Sequence, residues 1–133
     1  MANQQNNYIH LASLLIRVGL AAVFIIHGWG KVADPSGIIG VMGRLGIPLP
    51  TIAGWIIAIF EFGGGILVLL GLYTRIGAAA IAVVMLGAMF SVKFAKGFVG
   101  GWEFDLVLLL MALSLLLSGP GNISVDYRLN QSS

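Results

Sequence analysis

A single carboxylate, Glu61, lies near the middle of an apolar run, residues 52–72, that carries no other charge. A charged side chain at the centre of a bilayer costs at least about 2.5–3.5 kcal/mol, so such a residue normally faces the protein interior and a polar partner. The chain must therefore fold so that Glu61 is received inside a helix bundle. The candidate partners are Arg17, His27, Lys31, Lys93 and Glu103.

The composition indicates a membrane protein. Of the 133 residues, 59% are hydrophobic and only 9% are charged, far from the profile of an ordinary soluble domain. Apolar runs of about 18 or more residues can cross the hydrocarbon core as helices. The sequence therefore predicts an all-α integral membrane four-helix bundle, a single domain over residues 1–133. Its helices are expected at residues 11–28, 52–72, 76–92 and 104–118, the last one supported by the flanking interface anchors Trp102 and Tyr127.

The longest connection, between the first two apolar runs, carries a helix signal of its own. Asp34 and Pro35 are typical of a helix start, and Gly46 followed by two prolines is typical of a stop. We expect a short interfacial helix between helices one and two. Its apolar face consists of Ile38, Val41, Met42 and Leu45.

Small residues indicate where backbones approach closely. Gly63, Gly64 and Gly65 follow Glu61 and remove side-chain bulk where another helix or a ligand can approach. Small residues spaced four apart favour close helix packing in lipid. Packing alone accounts for the spaced pairs, whereas the glycine triplet beside an acid fits packing or a ligand. The spaced pairs are Gly54 with Ala58, Ala78 with Ala82, and Gly87 with Ser91.

Depth along the helices allows an ion pair between Arg17 and Glu61. At 1.5 Å per residue, Arg17 lies about 9 Å and Glu61 about 16 Å from the ends of their runs on the terminal side. A long guanidinium side chain can bridge that offset, and the pair can be bidentate. The alternative is that such a pair only sets the helix register.

A second polar group is expected where the long connections meet. Because helices one and two run antiparallel, the end of helix one emerges beside the start of helix four. The sequence thus predicts a pocket lined by His27, Lys31, Glu61, Trp102 and Glu103. Histidine changes protonation near neutral pH, so His27 can move a proton or donate a hydrogen bond to a carbonyl.

Each of these residues also has an ordinary explanation. A histidine at a membrane interface can simply be solvated. Lys31, Lys93 and Lys96 can be flanking residues whose ammonium groups reach the headgroups. Glu103 can be an acid at a helix start, favoured by the helix dipole.

The N-terminal segment and the basic residues of the connections predict how the chain is placed in the membrane. The first ten residues carry no Lys or Arg and no cleavage site follows the first run, so the first helix is expected to be retained. The connections on the long-loop side carry more basic residues than the terminal side, which favours long loops in the cytoplasm. The two sets are Lys31, Arg44, Lys93 and Lys96 against Arg75 and Arg128.

Several chemistries are excluded or disfavoured. The absence of cysteine excludes disulfides, iron–sulfur clusters and thiol exchange within the chain. The two histidines lie at opposite ends of helix one, so haem ligation by both is not expected, and His27, Glu61 and Glu103 lack a metal-ligand spacing. A net charge of +2 without a basic run argues against nucleic acid.

The ordered set of these residues resembles the DoxX family over residues 11–126. The matching segments are Arg17, residues 27–31 (HGWGK), residues 45–50 (LGIPLP), Glu61 before the glycines, residues 71–75 (GLYTR), residues 100–103 (GGWE) and residues 119–121 (GPG).

The resemblance implies a multi-pass protein of the bacterial inner membrane. It further implies a relation to small subunits associated with quinol oxidase and thiosulfate:quinone oxidoreductase activities, and with membrane complexes that handle thiol and oxidative stress. The family has no agreed catalytic residues to transfer. Polar positions that match its pattern are Arg17, His27, Lys31, Glu61, Arg75 and Glu103.

The leading functional hypothesis is a quinone-linked redox subunit. Glu61, His27 and Arg17 are the candidate catalytic residues, with Glu61 relaying a proton, His27 or Lys31 bound to a quinone oxygen, and Trp102 stacking. The alternatives are a membrane scaffold that binds a partner through its loops, and a transporter of protons or small solutes. The candidate quinone-binding residues are His27, Lys31, Trp102 and Glu103. The expected partners are the lipid bilayer, a membrane or peripheral oxidoreductase subunit, and further copies of the chain.

Overall fold

A computed structural model describes residues 2–132 of the chain, which form the helical bundle expected from the sequence. Four helices are long and apolar enough to cross a membrane, and a short helix lies between the first two. The α-helices are α1 (Ala2–Ala33), α2 (Ser36–Arg44), α3 (Pro50–Leu70), α4 (Thr74–Ala88), α5 (Glu103–Ser118) and α6 (Val125–Gln131). A π-turn (Met89–Lys93), a 3₁₀ turn (Phe94–Lys96) and a second π-turn (Phe98–Trp102) link α4 to α5.

Helix α1 is longer at both ends than the apolar run predicted. The Asn- and Gln-rich start is helical because nothing there breaks the backbone hydrogen bonds. At the other end the helix passes Gly28 and Gly30 and ends only before Asp34, whose N–H still bonds to Gly30 O at 3.0 Å. Pro35 then stops it, because the residue before a proline is disfavoured in the helical conformation.

Helix α2 starts and stops close to where its signals indicated. The carboxylate of Asp34 accepts a hydrogen bond from the backbone N–H of Ser36 at 3.1 Å. Hydrogen bonds from the side chain and backbone of Ser36 lower the pKa of Asp34. At the other end Gly46 has a φ of +69°, and Ile47 N–H bonds back to Met42 O at 3.1 Å, closing the last turn. Met42 is buried, and Ile39 packs over Gly54 of α3.

Each membrane-spanning helix packs against the next one along the chain. Helix α1 packs on α3, α3 on α4 and α4 on α5, and contacts between α1 and α5 close the ring. All four spans contribute side chains to the interior, which is filled by aliphatic residues, Phe24 and two methionines. The core therefore runs along the bundle axis. The buried core residues are Leu20, Ala21, Phe24, Val68, Ala78, Ile81, Ala82, Met85, Met89, Leu108, Leu109, Ala112 and Leu115.

Two of the glycines after Glu61 allow close helix contacts on opposite faces of α3. A Cβ on Gly65 would lie 3.0 Å from Ile25 N of α1, and one on Gly64 would lie 3.1 Å from Gly77 O of α4. A Cβ on Gly63 would meet nothing within 4 Å. Packing therefore accounts for two of the three glycines.

The tightest approach in the bundle is at Gly28, where a Cβ would lie 2.7 Å from Phe62 Cα and closer still to its backbone N. We expect Gly28→Ala to lower the free energy of unfolding by about 1–2 kcal/mol, because neither backbone can yield without separating α1 from α3. Thermal denaturation in detergent measures this loss. The control is Gly30→Ala, since nothing lies within 4 Å of a Cβ at Gly30. Equal stability of the two variants would contradict the packing argument.

Candidate functional site

Glu61 faces the bundle interior and has a cationic partner, as the cost of a charge in lipid predicted. Its Oε2 lies 2.6 Å from Lys31 Nζ, and the two side chains are 6% and 28% exposed, respectively. The antiparallel crossing of α1 and α3 brings these residues together, and Gly28 lets the two backbones approach one turn before Lys31. A largely buried carboxylate is thus joined to an ammonium group that still reaches the surface.

The predicted ion pair between Arg17 and Glu61 is wrong. Arg17 is only 2% exposed, and its guanidinium donates to backbone carbonyls at the C-terminal end of α3 and in the segment after α5. Carbonyl groups at a helix C-terminus lack helical partners and carry the negative end of the helix dipole, so they attract a buried cation. The acceptors are Val68 O (2.8 Å), Leu69 O (2.7 Å), Pro120 O (3.1 Å) and Ile123 O (2.6 Å).

Arg17 belongs to a network that fastens the C-terminal segment to the turn between α3 and α4. Asp126 accepts hydrogen bonds from Tyr73 N (2.7 Å), Thr74 N (3.0 Å) and Thr74 Oγ1 (3.0 Å), so it caps the start of α4. Gly71 has a φ of +66°, and a Cβ there would lie 2.6 Å from Arg17 Nη2. The geometry gives Arg17 a structural part here, and the part played by Asp126 was not predicted from the sequence.

A cavity of about 420 Å³ lies at the other end of the bundle, beside Glu61. Its walls are mostly apolar and come from α1 to α5 and the π-turn after α4. Ile56 and Phe60 of α3, Val83 of α4 and Phe104 of α5 line it and are also exposed, so the cavity opens onto the apolar outer surface of the bundle. The polar and charged lining residues are His27, Lys31, Glu61, Lys93 and Asp105.

A second ion pair lines the same cavity and was not predicted. Lys93 Nζ lies 2.8 Å from Asp105 Oδ1, and the side chains are 36% and 4% exposed. The second oxygen, Oδ2, is buried and accepts no hydrogen bond from the described residues. The sequence did contain a signal for this pair, because Asp105 lies at the start of the last apolar run. A charge in hydrocarbon is costly there as it is at Glu61, so a buried partner could have been expected.

Three of the five residues predicted to share a pocket line this cavity, namely His27, Lys31 and Glu61. Trp102 and Glu103 do not. The ring of Trp102 stacks on Phe94 at 5.5 Å and meets Phe98 edge-on at 4.7 Å. Glu103 Oε1 accepts a hydrogen bond from Gly100 N at 2.8 Å.

The path of the chain before α5 explains this placement. Gly97 (φ +81°) and Gly100 (φ +72°) have positive φ, and Val99 is extended, so the helical path is broken ahead of Trp102. Glu103 bonds within this kink, at the start of α5, as the helix-start explanation expected. The residue of α5 that enters the cavity is therefore Asp105.

The arrangement offers hydrogen-bond donors and acceptors at the end of an apolar chamber. Each ammonium group has three N–H donors, of which one is directed at a carboxylate, and each carboxylate only accepts. Among the described residues no three His, Cys, Asp or Glu side chains cluster as metal ligands. The site is thus suited to a largely apolar molecule that carries a few polar groups.

Comparisons with known proteins agree with this architecture. Residues 12–94 match the DoxX family. The chain is 36% identical over 121 residues to "Putative oxidoreductase CatD" of Bacillus subtilis (strain 168), covering 91% of this chain and 89% of that protein. It is 33% identical over 125 residues to "Inner membrane protein YqjF" of Escherichia coli (strain K12), covering 89% and 92%. No solved structure matches the chain.

A further relative bears on localisation. The chain is 29% identical over 124 residues to "Inner membrane protein YphA" of Escherichia coli (strain K12), covering 86% of this chain and 88% of that protein. Together with the four apolar spans, these relatives identify a multi-pass protein of the inner membrane. With a family match over more than half of its length and relatives similar along nearly all of it, the chain belongs to the DoxX family.

Proposed function

We propose that the protein is a quinone-linked redox subunit of the inner membrane and that a quinone ring binds in the cavity beside the Lys31–Glu61 pair. The observation that carries the proposal is an apolar chamber, open toward lipid, with two lysine–carboxylate pairs in its wall. The similarity to a relative named as an oxidoreductase supports it further.

The residues present fit such a molecule. A volume of about 420 Å³ lies within the range of small-molecule sites, roughly 300–1,000 Å³, which are mostly apolar with a few placed polar groups. The cavity opens onto the apolar outer surface of the bundle, which faces the lipid phase in which quinones dissolve. Phe24 and Phe60 supply aromatic wall on the α1 and α3 sides.

A bound quinone supplies an acceptor of two electrons and two protons, and the chain's residues handle the protons. Lys31 Nζ can donate a hydrogen bond to a ligand oxygen while it holds Glu61 in place. Glu61 can take up or release a proton within the chamber, because proton transfer requires a titratable group within hydrogen-bond reach. His27 lines the cavity and is exposed, so it can exchange protons with water.

The scaffold alternative receives less support from the same residues. A scaffold that docks a partner enzyme through its loops would present loop lysines such as Lys93 and Lys96 at the surface. Lys93 is instead directed at Asp105 in the cavity wall, whereas Lys96 is exposed. An oxidoreductase partner that supplies electrons remains part of the proposal.

Filling the cavity tests the proposal without removing a polar group. Gly87 lines the cavity, and nothing lies within 4 Å of a Cβ built on it, so Gly87→Leu adds a side chain at the cavity wall without a backbone clash. We expect the quinone that co-purifies from native membranes to fall at least about tenfold, since the ring and the new side chain compete for one volume. Extraction and chromatography of the bound quinone measure it.

Two comparisons sharpen this test. Gly30→Leu introduces the same side chain at an exposed position outside the cavity and should retain quinone. Glu61→Gln should keep the chamber but slow quinone-dependent turnover. Full quinone occupancy in Gly87→Leu, or unchanged turnover in Glu61→Gln, would refute the respective part of the proposal.

A further inference from the structure

Asp105 is a buried acid, and one of its carboxylate oxygens has no hydrogen-bond partner among the described residues. Its side chain is 4% exposed, Oδ1 is held by Lys93 Nζ at 2.8 Å, and Oδ2 has no hydrogen-bond partner among the described residues. Leaving a buried polar oxygen unpaired destabilises the protein, and more so when the group is charged. Oδ2 exposes almost no surface to the cavity as it stands, but Asp105 is a lining residue, so a small rotation of its carboxylate brings this oxygen to a donor on a molecule bound there.

The missing partner must be a donor. A carboxylate paired with a lysine is ionised and only accepts hydrogen bonds, so a ligand that carries only carbonyl oxygens leaves Oδ2 as it is. A hydroxyl group both donates and accepts. It can donate to Asp105 and accept from Lys93, whose ammonium group retains two further N–H donors.

A second ion pair in the wall of the same cavity repeats this pattern. Lys31 and Glu61 also place an ammonium beside a carboxylate, with Glu61 6% exposed. The other titratable side chain that lines the chamber is His27, which is exposed. Two donor–acceptor pairs in one apolar chamber suit a largely apolar molecule with two hydroxyl groups.

We infer that the cavity binds the reduced, dihydroxy form of the aromatic ring in preference to the dione, with Asp105 Oδ2 accepting a hydrogen bond from one ring hydroxyl. This inference rests on the proposed function and adds the redox form of the ligand and a residue that selects it. It makes Asp105 a ligand-binding residue, and Lys93 both holds the Asp105 carboxylate and donates to the same hydroxyl.

The test compares three ligands on the unaltered protein. They are decylubiquinone, its hydroquinone, and the di-O-methyl ether of that hydroquinone, which has the reduced ring but no O–H donor. Binding is measured by anaerobic equilibrium dialysis against protein in detergent. Hydrogen bonds to charged groups contribute about 1.5–3 kcal/mol, which corresponds to a factor of roughly 10 to 100 in affinity. We expect the hydroquinone to bind more tightly than the other two by about that factor.

Two variants assign the preference to Asp105. In Asp105→Asn the charge is lost, and the preference for the hydroquinone should fall to about threefold or less, because a neutral acceptor forms a weaker bond. Glu103→Gln alters an acid on the same turn that bonds to Gly100 outside the cavity, and it should leave the preference unchanged.

The possible failures are distinguishable. Equal affinity of the unaltered protein for the quinone and its hydroquinone would overturn this inference and leave the proposed function standing. Saturable binding of none of the three ligands would overturn the proposed function and this inference with it. An undiminished preference in Asp105→Asn would remove Asp105 as the selecting residue.

Discussion

Arg17→Met is expected to lower the free energy of unfolding by about 3–5 kcal/mol, the largest effect of any substitution considered for this chain. The guanidinium is buried and donates to four carbonyl oxygens, two at the end of α3 and two in the segment after α5. Methionine fills much of the volume but leaves Leu69 O, Pro120 O and Ile123 O without this donor, whereas Val68 O keeps the bond from Gly71 N. The substitution also removes the positive charge at the helix end.

Denaturation of the purified protein in detergent measures the loss, and limited proteolysis of the segment after Ser118 reports whether the C-terminal end has come free. Arg75→Met is the matched control, since Arg75 is exposed on the same side of the bundle. Arg17→Lys should recover only part of the stability, because one ammonium group cannot reach all four acceptors. If Arg17→Met were as stable as the Arg75 variant but lost quinone-dependent activity, Arg17 would be catalytic and not structural.

Lys31→Met is expected to destabilise the protein by about 2–3 kcal/mol. Breaking a buried ion pair typically costs roughly 3–5 kcal/mol, because the remaining charge is left unpaired, and the lower figure allows for the solvent screening of Lys31. The double variant Lys31→Met with Glu61→Gln should regain most of the loss, since no unpaired carboxylate then remains.

A double-mutant cycle of denaturation free energies measures the coupling between these two residues. Lys96→Met provides the control, because Lys96 is an exposed lysine on the same side of the membrane. Strictly additive effects of the Lys31 and Glu61 substitutions would contradict the ion pair as the reason why Glu61 is accepted inside the bundle.

The membrane spans and the need of Glu61 for a partner could be predicted, because both depend only on the order of residues along the chain. The length of an apolar run decides whether it crosses the membrane, and the cost of a charge in hydrocarbon requires a buried acid to be paired. The limits of α1 were missed because they depend on where the helix is broken, at Pro35, and not on where its residues cease to be apolar.

The identity of the partner could not be predicted in the same way. Arg17 and Lys31 both lie on α1, and both are long enough to reach an acid on α3. The choice depended on the rotation and axial shift of the two helices, which the contact of Gly28 with Phe62 determines. It depended also on a competing set of acceptors for Arg17, assembled from α3 and from a segment about a hundred residues away in sequence.

Asp105 shows the same division between sequence and structure. Its position at the head of an apolar helix was visible, whereas its approach to Lys93 follows from the kink at Gly97 and Gly100, which turns Glu103 away and Asp105 inward. By itself the sequence determined the membrane class, the four spans, the family and the presence of a paired acid. Only the tertiary structure decided which charged side chains pair with each other, and only it showed that two such pairs line one cavity. Those contacts depend on how the helices rotate and pack against one another.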